Sequence, residues 1–237
     1  MKSTKITSNK HLILKRIQTG IKKLDSLIEG GLPEFSSTAL VAKAGCGKTI
    51  FSLHYLVAGA TQYNEKGIYF SFEEKKNSIE KQAIQFGWNI NELEQKNKLK
   101  IISLGIDEIN QKTVDDIIQI IKDTKAKRVV IDSITTLSYL LYQEQSNTLQ
   151  IRKFMYQFLS KLNELETTSL IICQEEDTDV TRIAKYVCDG VFHLEFESLG
   201  GEYSRTLTIS KMRKTKNNED IHPLEISNKG IILHTIE

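Results

Sequence analysis

Proline is scarce: Pro33 and Pro223 are the two in 237 residues, so no Pro-rich linker divides the chain. The three cysteines, Cys46, Cys173 and Cys188, form no close-spaced pair. That pattern predicts no zinc site and a reducing, cytoplasmic setting. No apolar run approaches the ~20 residues of a membrane span, so no membrane partner is expected. Met1 to Gln18 is basic and lacks a long apolar stretch, so no secretory signal is expected either. Charge of one sign is also in short supply, since the net charge is only +2. It is unevenly placed, however. Residues 1–24 carry seven Lys/Arg and no acid, which leaves the rest of the chain net negative. That segment reads either as a basic arm for nucleic acid or an acidic partner, or as a solvated, loose terminus. The length predicts one domain, residues 16–237, behind a flexible basic arm, residues 1–15.

What is present is organised around Ser37 to Tyr55, STALVAKAGCGKTIFSLHY. The apolar run Thr38 to Val41 predicts a strand. A small-residue loop follows, and Lys48-Thr49 opens a helix-like run to about Thr61. This is the phosphate-loop pattern G-x-x-x-x-G-K-[ST], with Ala42 in place of the first glycine. Small residues let backbone N–H groups approach a triphosphate closely, and the next helix aims its N-terminal amides at the charge. The nucleotide-binding set is Ala42, Lys43, Ala44, Gly45, Cys46, Gly47, Lys48, Thr49 and Ile50. Within it, Lys48 suits the β/γ oxygens and the Thr49 hydroxyl suits Mg²⁺.

The rest of the chain predicts alternating elements. Thr19 is expected to cap a short helix with apolar face Ile21, Leu24, Leu27 and Ile28, ended by Gly30-Gly31. Strands are expected at Gly67–Phe72, Leu99–Leu104, Arg128–Asp132 and Ser169–Cys173, and Leu12 to Leu14 suggest a further strand or an anchor. Helices are expected at Ser78–Gly87, Thr113–Thr124 and Asn147–Leu165. This alternation predicts an α/β fold with a mainly parallel sheet flanked by helices. Two C-terminal hairpins should follow: Val191–Phe196 with Arg205–Lys211 around Gly200-Gly201, and Leu224–Ile226 with Gly230–Leu233.

Ligands of open parallel sheets sit at the carboxyl ends of strands. Polar groups fall at three such ends: Glu73-Glu74, Asp132 and Gln174. Asp132, after Val129-Val130-Ile131, reads as an acid holding Mg²⁺ through water, or as a helix N-cap. Glu73 and Glu74 read as groups orienting the attacking water, or as solvated acids in a first helical turn. Gln174 is placed to sense the γ-phosphate.

Together these residues resemble the KaiC-like branch of the RecA superfamily of P-loop ATPases. The resemblance runs from about Arg16 to Leu233 and rests on separated pieces: TGIKKLDSLIEGGLP, AGCGKT, GIYFSFEE, FGWNINELEQKNKLKII, VVIDSITTL, YVCDGVFHLEF and KMRKTKNNEDIHPLEISNKGIIL. It implies a RecA-like core, a catalytic pair in Glu73 and Glu74, and a magnesium-site acid in Asp132. It also implies that Lys211 and Arg213 reach the γ-phosphate of a neighbouring subunit, hence a homo-oligomeric ring, commonly a hexamer. ATP and Mg²⁺ are the implied cofactors, and the implied output is regulation of an unidentified protein partner by a slow ATPase. The chain departs from the family at Lys43-Ala44, at Cys46, in the glycine-free turn Pro33 to Ser36, and at Lys214 to Asn218. Two alternatives stay open: a recombinase-mediator-like ATPase binding single-stranded DNA, and a nucleotide switch that assembles without hydrolysis. The acids from Glu175 to Asp179 lie where RecA-like proteins place a DNA loop, and they repel phosphate.

Overall fold

The computed structural model describes residues 14–141, 147–175, 178–196 and 204–234. The chain opens with β1 (Arg16–Ile17), α1 (Lys22–Leu27) and β2 (Leu32–Pro33). Next come β3 (Ser37–Ala42), α2 (Lys48–Gln62), β4 (Gly67–Ser71), α3 (Lys76–Ile84), α4 (Ile90–Gln95) and β5 (Leu99–Ser103). The second half continues with α5 (Thr113–Thr124), β6 (Arg128–Asp132), α6 (Ile134–Leu141), α7 (Thr148–Glu164), β7 (Thr168–Gln174) and α8 (Asp179–Val187). It closes with β8 (Gly190–Phe196), β9 (Arg205–Met212), β10 (Ile221–Ser227) and β11 (Gly230–Leu233). The basic arm's first thirteen residues, the Leu12-Ile13 segment, Glu176-Asp177 and Gly200-Gly201 lie outside the described residues.

The main sheet has the order β11-β10-β9-β8-β3-β7-β6-β4-β5. Strands β8, β3, β7, β6, β4 and β5 are mutually parallel, and β9 to β11 continue the sheet antiparallel. The fold class is therefore the expected one. Its parallel part is one strand larger than the alternation alone predicts, because β8 runs parallel to β3 before turning into the hairpin.

Each central strand is apolar on both faces, as a parallel sheet covered by two helical layers requires. In β3, Leu40 and Ala42 enter a core with α1 to α4 and the C-terminal strands. Ala39 and Val41 enter a second core with α5 to α8. Helix α7 begins at an Asn147–Gln150 capping box, which satisfies two N-terminal amides and fixes its start.

One local expectation fails. Thr19 does not cap α1 from the N-cap position, which Ile21 holds without a side-chain cap. The Thr19 hydroxyl and amide instead donate to Asp25 Oδ1, at 2.8 and 2.7 Å, and the hydroxyl accepts from Ile21 N at 3.1 Å. A buried carboxylate thus ties the entry turn, and three donors compete for the geometry a simple cap would need.

Candidate functional site

The loop between β3 and α2 begins where β3 leaves the core. Lys43, Ala44 and Gly45 are exposed. Gly45 and Gly47 have φ of 81° and 101°, a region that costs an L side chain strain. At Gly47 a Cβ would also stand 2.9 Å from Ile226 Cδ1, a side-chain end that can give way, so it is the positive φ that calls for glycine. Lys48 Nζ bends back over the loop and donates to the carbonyls of Ala42 (3.1 Å) and Lys43 (3.0 Å). Cys46 turns inward: it is 1% exposed, and burial pushes its thiol pKa up. Ala42 is equally buried, so these two can offer a ligand only their backbone.

A cleft of about 380 Å³ opens above the loop, lined by Gly45, Lys48, Thr49, Glu73, Glu74, Asp132, Gln82 and Ile226 among others. A larger hollow of about 500 Å³, between Lys66, Glu94 and Leu99, holds none of the strand-end acids of the loop site. Chemistry, not size, picks out the first.

Asp132 ends β6 and is 7% exposed. Tyr69, fully buried on β4, donates its hydroxyl to Asp132 Oδ2. Burial raises the carboxyl pKa to about 6, the Tyr69 bond and Lys48 work against that rise, and the charges of Glu73 and Glu74 add to it. Asp132 is not the cap of α6. Ser133, joined to it by a cis peptide bond, takes that part by accepting from Thr136 N at 3.1 Å.

The two glutamates precede α3 and are wired differently. Glu73 Oε1 accepts from Ser133 Oγ (2.9 Å), from Thr136 Oγ1 and from Gln174 Nε2 (2.9 Å). Glu74 Oε2 accepts from Gln82 Nε2 (2.6 Å) and Ser78 Oγ (3.1 Å), and its Oε1 accepts from Thr49 Oγ1 at 3.4 Å. Glu73 is thus tied to the β6 and β7 ends, whereas Glu74 is tied to the loop threonine and α3.

Lys211 and Arg213 stand apart from this group. Lys211 Nζ donates to the carbonyls of Lys185 (3.1 Å), Tyr186 (2.9 Å) and Cys188 (2.6 Å), and burial lowers its pKa. Arg213 donates to the carbonyls of Val187 (3.2 Å) and Tyr186 (3.2 Å). Both cations cap the C-terminus of α8, where the helix dipole favours them. Lys211 pairs with Val191, which pairs with Ala39 near the start of β3, whereas the loop follows Ala42 at its end. At ~3.3 Å per residue, the strand separates these backbones by roughly 10 Å. The structure brings together Lys48, Thr49, Glu73, Glu74, Asp132 and Gln174, and leaves Lys211 and Arg213 at the opposite end of the sheet.

Sequence reasoning did not single out Tyr69, Gln82, Ser133, Thr136 or Ile226. Tyr69 reads as one more apolar strand residue. Gln82 carries a weak signal, since it lies eight residues after Glu74 on a helix whose apolar positions are Ile79 and Ala83.

With this geometry in view, the chain can be set beside known proteins. The family model described as "ATPase: KaiC" matches residues 17–237. A UPF0273 protein of Thermotoga maritima is 33% identical over 95% of this chain and 98% of its own length. The circadian clock oscillator protein KaiC of Prochlorococcus marinus subsp. pastoris is 32% identical over the whole of this chain and 48% of its own length. The chain therefore spans about half the length of the clock proteins it matches. A crystal structure of a KaiC-like protein from Pyrococcus horikoshii superposes with a TM-score of 0.81 at 27% identity, covering 94% of this chain and 100% of that one.

Proposed function

Because the chain belongs to the KaiC ATPase family, we propose that it is a magnesium-dependent, slow ATPase that works as a homo-oligomeric regulatory ring, with residues 16–237 as one ATPase unit. The observation that carries the reading is convergence: the loop lysine and threonine and three strand-end acids line one cleft.

The donor set suits a hard cation. Thr49 and Asp132 offer only oxygens, and Glu74 stands beside Thr49. Magnesium, when bound there, supplies charge neutralisation between the β- and γ-phosphates. Lys48 holds loop carbonyls at 3.0 and 3.1 Å, bonds it exchanges for phosphate oxygens when ATP enters. The first amides of α2 and its dipole hold the phosphates from behind. Glu73 polarises the attacking water, oriented by Ser133, Thr136 and Gln174. Lys211 and Arg213 act on a neighbour's γ-phosphate, releasing the α8 carbonyls as they do so. Cations delivered in trans give ~10³–10⁵ in rate in related phosphoryl-transfer systems. The product of the cycle is a conformational signal to a partner protein.

A second reading is favoured by one observation: a single oxygen of Glu73 already takes three donors, which reduces its capacity to accept a proton from water. On that reading ATP drives assembly without hydrolysis. Phosphate release measured with and without Mg²⁺, for wild type and Glu73→Gln, together with light scattering, separates the two. Slow Mg²⁺-dependent release that Glu73→Gln abolishes supports the ATPase. Assembly on ATP with no release by wild type supports the switch. A protein that stays monomeric with Mg²⁺ and a non-hydrolysable analogue contradicts the ring.

A further inference from the structure

Glu175, His193 and Glu195 come together beside the phosphate loop, outside the cleft described above. One nitrogen or oxygen from each lies within 4.8 Å of the others, and all three residues are partly buried. We propose that they form a binding site for a divalent transition cation, separate from the magnesium position at Thr49 and Asp132.

The fold builds this cluster from rigid parts. His193 and Glu195 are two apart on β8, so they share the sheet face that also carries Val191. Glu175 follows the last residue of β7, and its amide donates to Ala42 O at 3.1 Å. Between β7 and β8 runs β3, which ends there in Ala42. On the His193 face the last β3 side chain is Val41, which pairs with His193, so the strand places no side chain of its own beyond that level. Glu175 Oε2 has no accessible surface and no hydrogen-bond partner, so this carboxylate oxygen is desolvated without compensation. Burial lowers the His193 pKa, which keeps its ring nitrogen available as a ligand, and Lys185 is the nearby cation that weighs against a metal.

The ligand types choose the metal. Two carboxylates and an imidazole suit zinc, iron or manganese, whereas magnesium prefers oxygens alone. Ligand atoms around one tetrahedral ion stand about 3.4 Å apart at bond lengths near ~2.1 Å, so closure needs shifts under ~1 Å per side chain. No cysteine takes part, and a glutamate just past β7 and a histidine 18 positions later on β8 form no spacing motif. That is why the cysteine pattern, read as predicting no zinc site, gives no sign of it.

Equilibrium dialysis of the nucleotide-free full chain against zinc(II), with millimolar magnesium(II) as competitor, tests the site. The expected result is one zinc per chain retained against magnesium, with affinity lowered at least ~10-fold in both His193→Ala and Glu175→Gln. Glu175→Gln keeps the side-chain shape, so its loss of zinc with an unchanged melting curve counts even if His193→Ala fails to fold. No zinc retained by wild type, or equal retention by folded variants, overturns the proposal.

Discussion

Gln174 Nε2 donates a 2.9 Å hydrogen bond to Glu73 Oε1, joining the carboxyl ends of β7 and β4 across a gap of 101 residues in sequence. The contact places the group read as a γ-phosphate sensor directly on the group read as the water-polarising base. On the proposed function, Gln174 is a positioning residue for Glu73. Gln174→Ala should lower kcat by about 10-fold or more, within the ~10²–10⁴ that a general base contributes. Nucleotide affinity should change little, because the Gln174 side chain bonds Glu73 and not the loop residues proposed to hold phosphate. Steady-state kinetics beside a fluorescent-nucleotide titration checks the split; a loss of affinity with kcat intact would contradict this role.

Cys46 lies in the loop but belongs to the core. Its buried, raised-pKa thiol should react with a thiol reagent only when the fold opens, so modification should keep pace with unfolding in urea. Cys46→Ser places a hydroxyl in an apolar setting and should cost about 1–3 kcal/mol of stability. Denaturant midpoints check this. A variant of unchanged stability would place the side chain at the phosphates instead.

His54 on α2 accepts the amide of Ile231 on β11 through Nδ1, at 3.0 Å, and so must be neutral at that nitrogen. Burial lowers its pKa below the ordinary value of 6.5. A histidine with a depressed folded pKa contributes stability that is complete above its unfolded pKa and is lost as pH falls below it. Acidification from pH 7.5 to pH 5.5 should therefore lower urea midpoints through this group, against the opposite contribution of the raised Asp132 carboxyl, and His54→Leu should reduce the net drop. His193 and His222 are shifted the same way by burial, so part of the acid loss should remain. An unaltered drop in His54→Leu would show that the α2–β11 contact is not the sensitive one.

Much of the fold is legible in the sequence because its signals are local. Helix α5 has the bounds its apolar period predicts, with Asp115 and Asp116 in its first turn. Helix α7 starts at its Asn147 cap. The strand ends at Asp132 and Gln174 are also where the residues place them. Short elements lack such signals: α4 and α8 hold six and nine residues. The site divides in the same way. Its members announce themselves by residue type at strand ends, but their wiring does not. Tyr69 reaches Asp132 and Ser133 reaches Glu73 across 63 and 60 residues. Such contacts come from strand order, and no periodicity encodes strand order.

The proposal that Lys211 and Arg213 act on the γ-phosphate requires them to come from a neighbouring chain, because within one chain they lie at the end of the sheet opposite the site. Mixing two inactive variants tests this directly. Glu73→Gln keeps Lys211 and Arg213, while a Lys211→Ala, Arg213→Ala double variant keeps Glu73. Each alone should release almost no phosphate from Mg²⁺-ATP. Co-assembled in equal amounts, they should regain activity, because about a quarter of the interfaces in a random ring then pair an intact glutamate with intact cations. Mixed rings, demonstrated by mass, that remain as inactive as either variant alone would contradict the account.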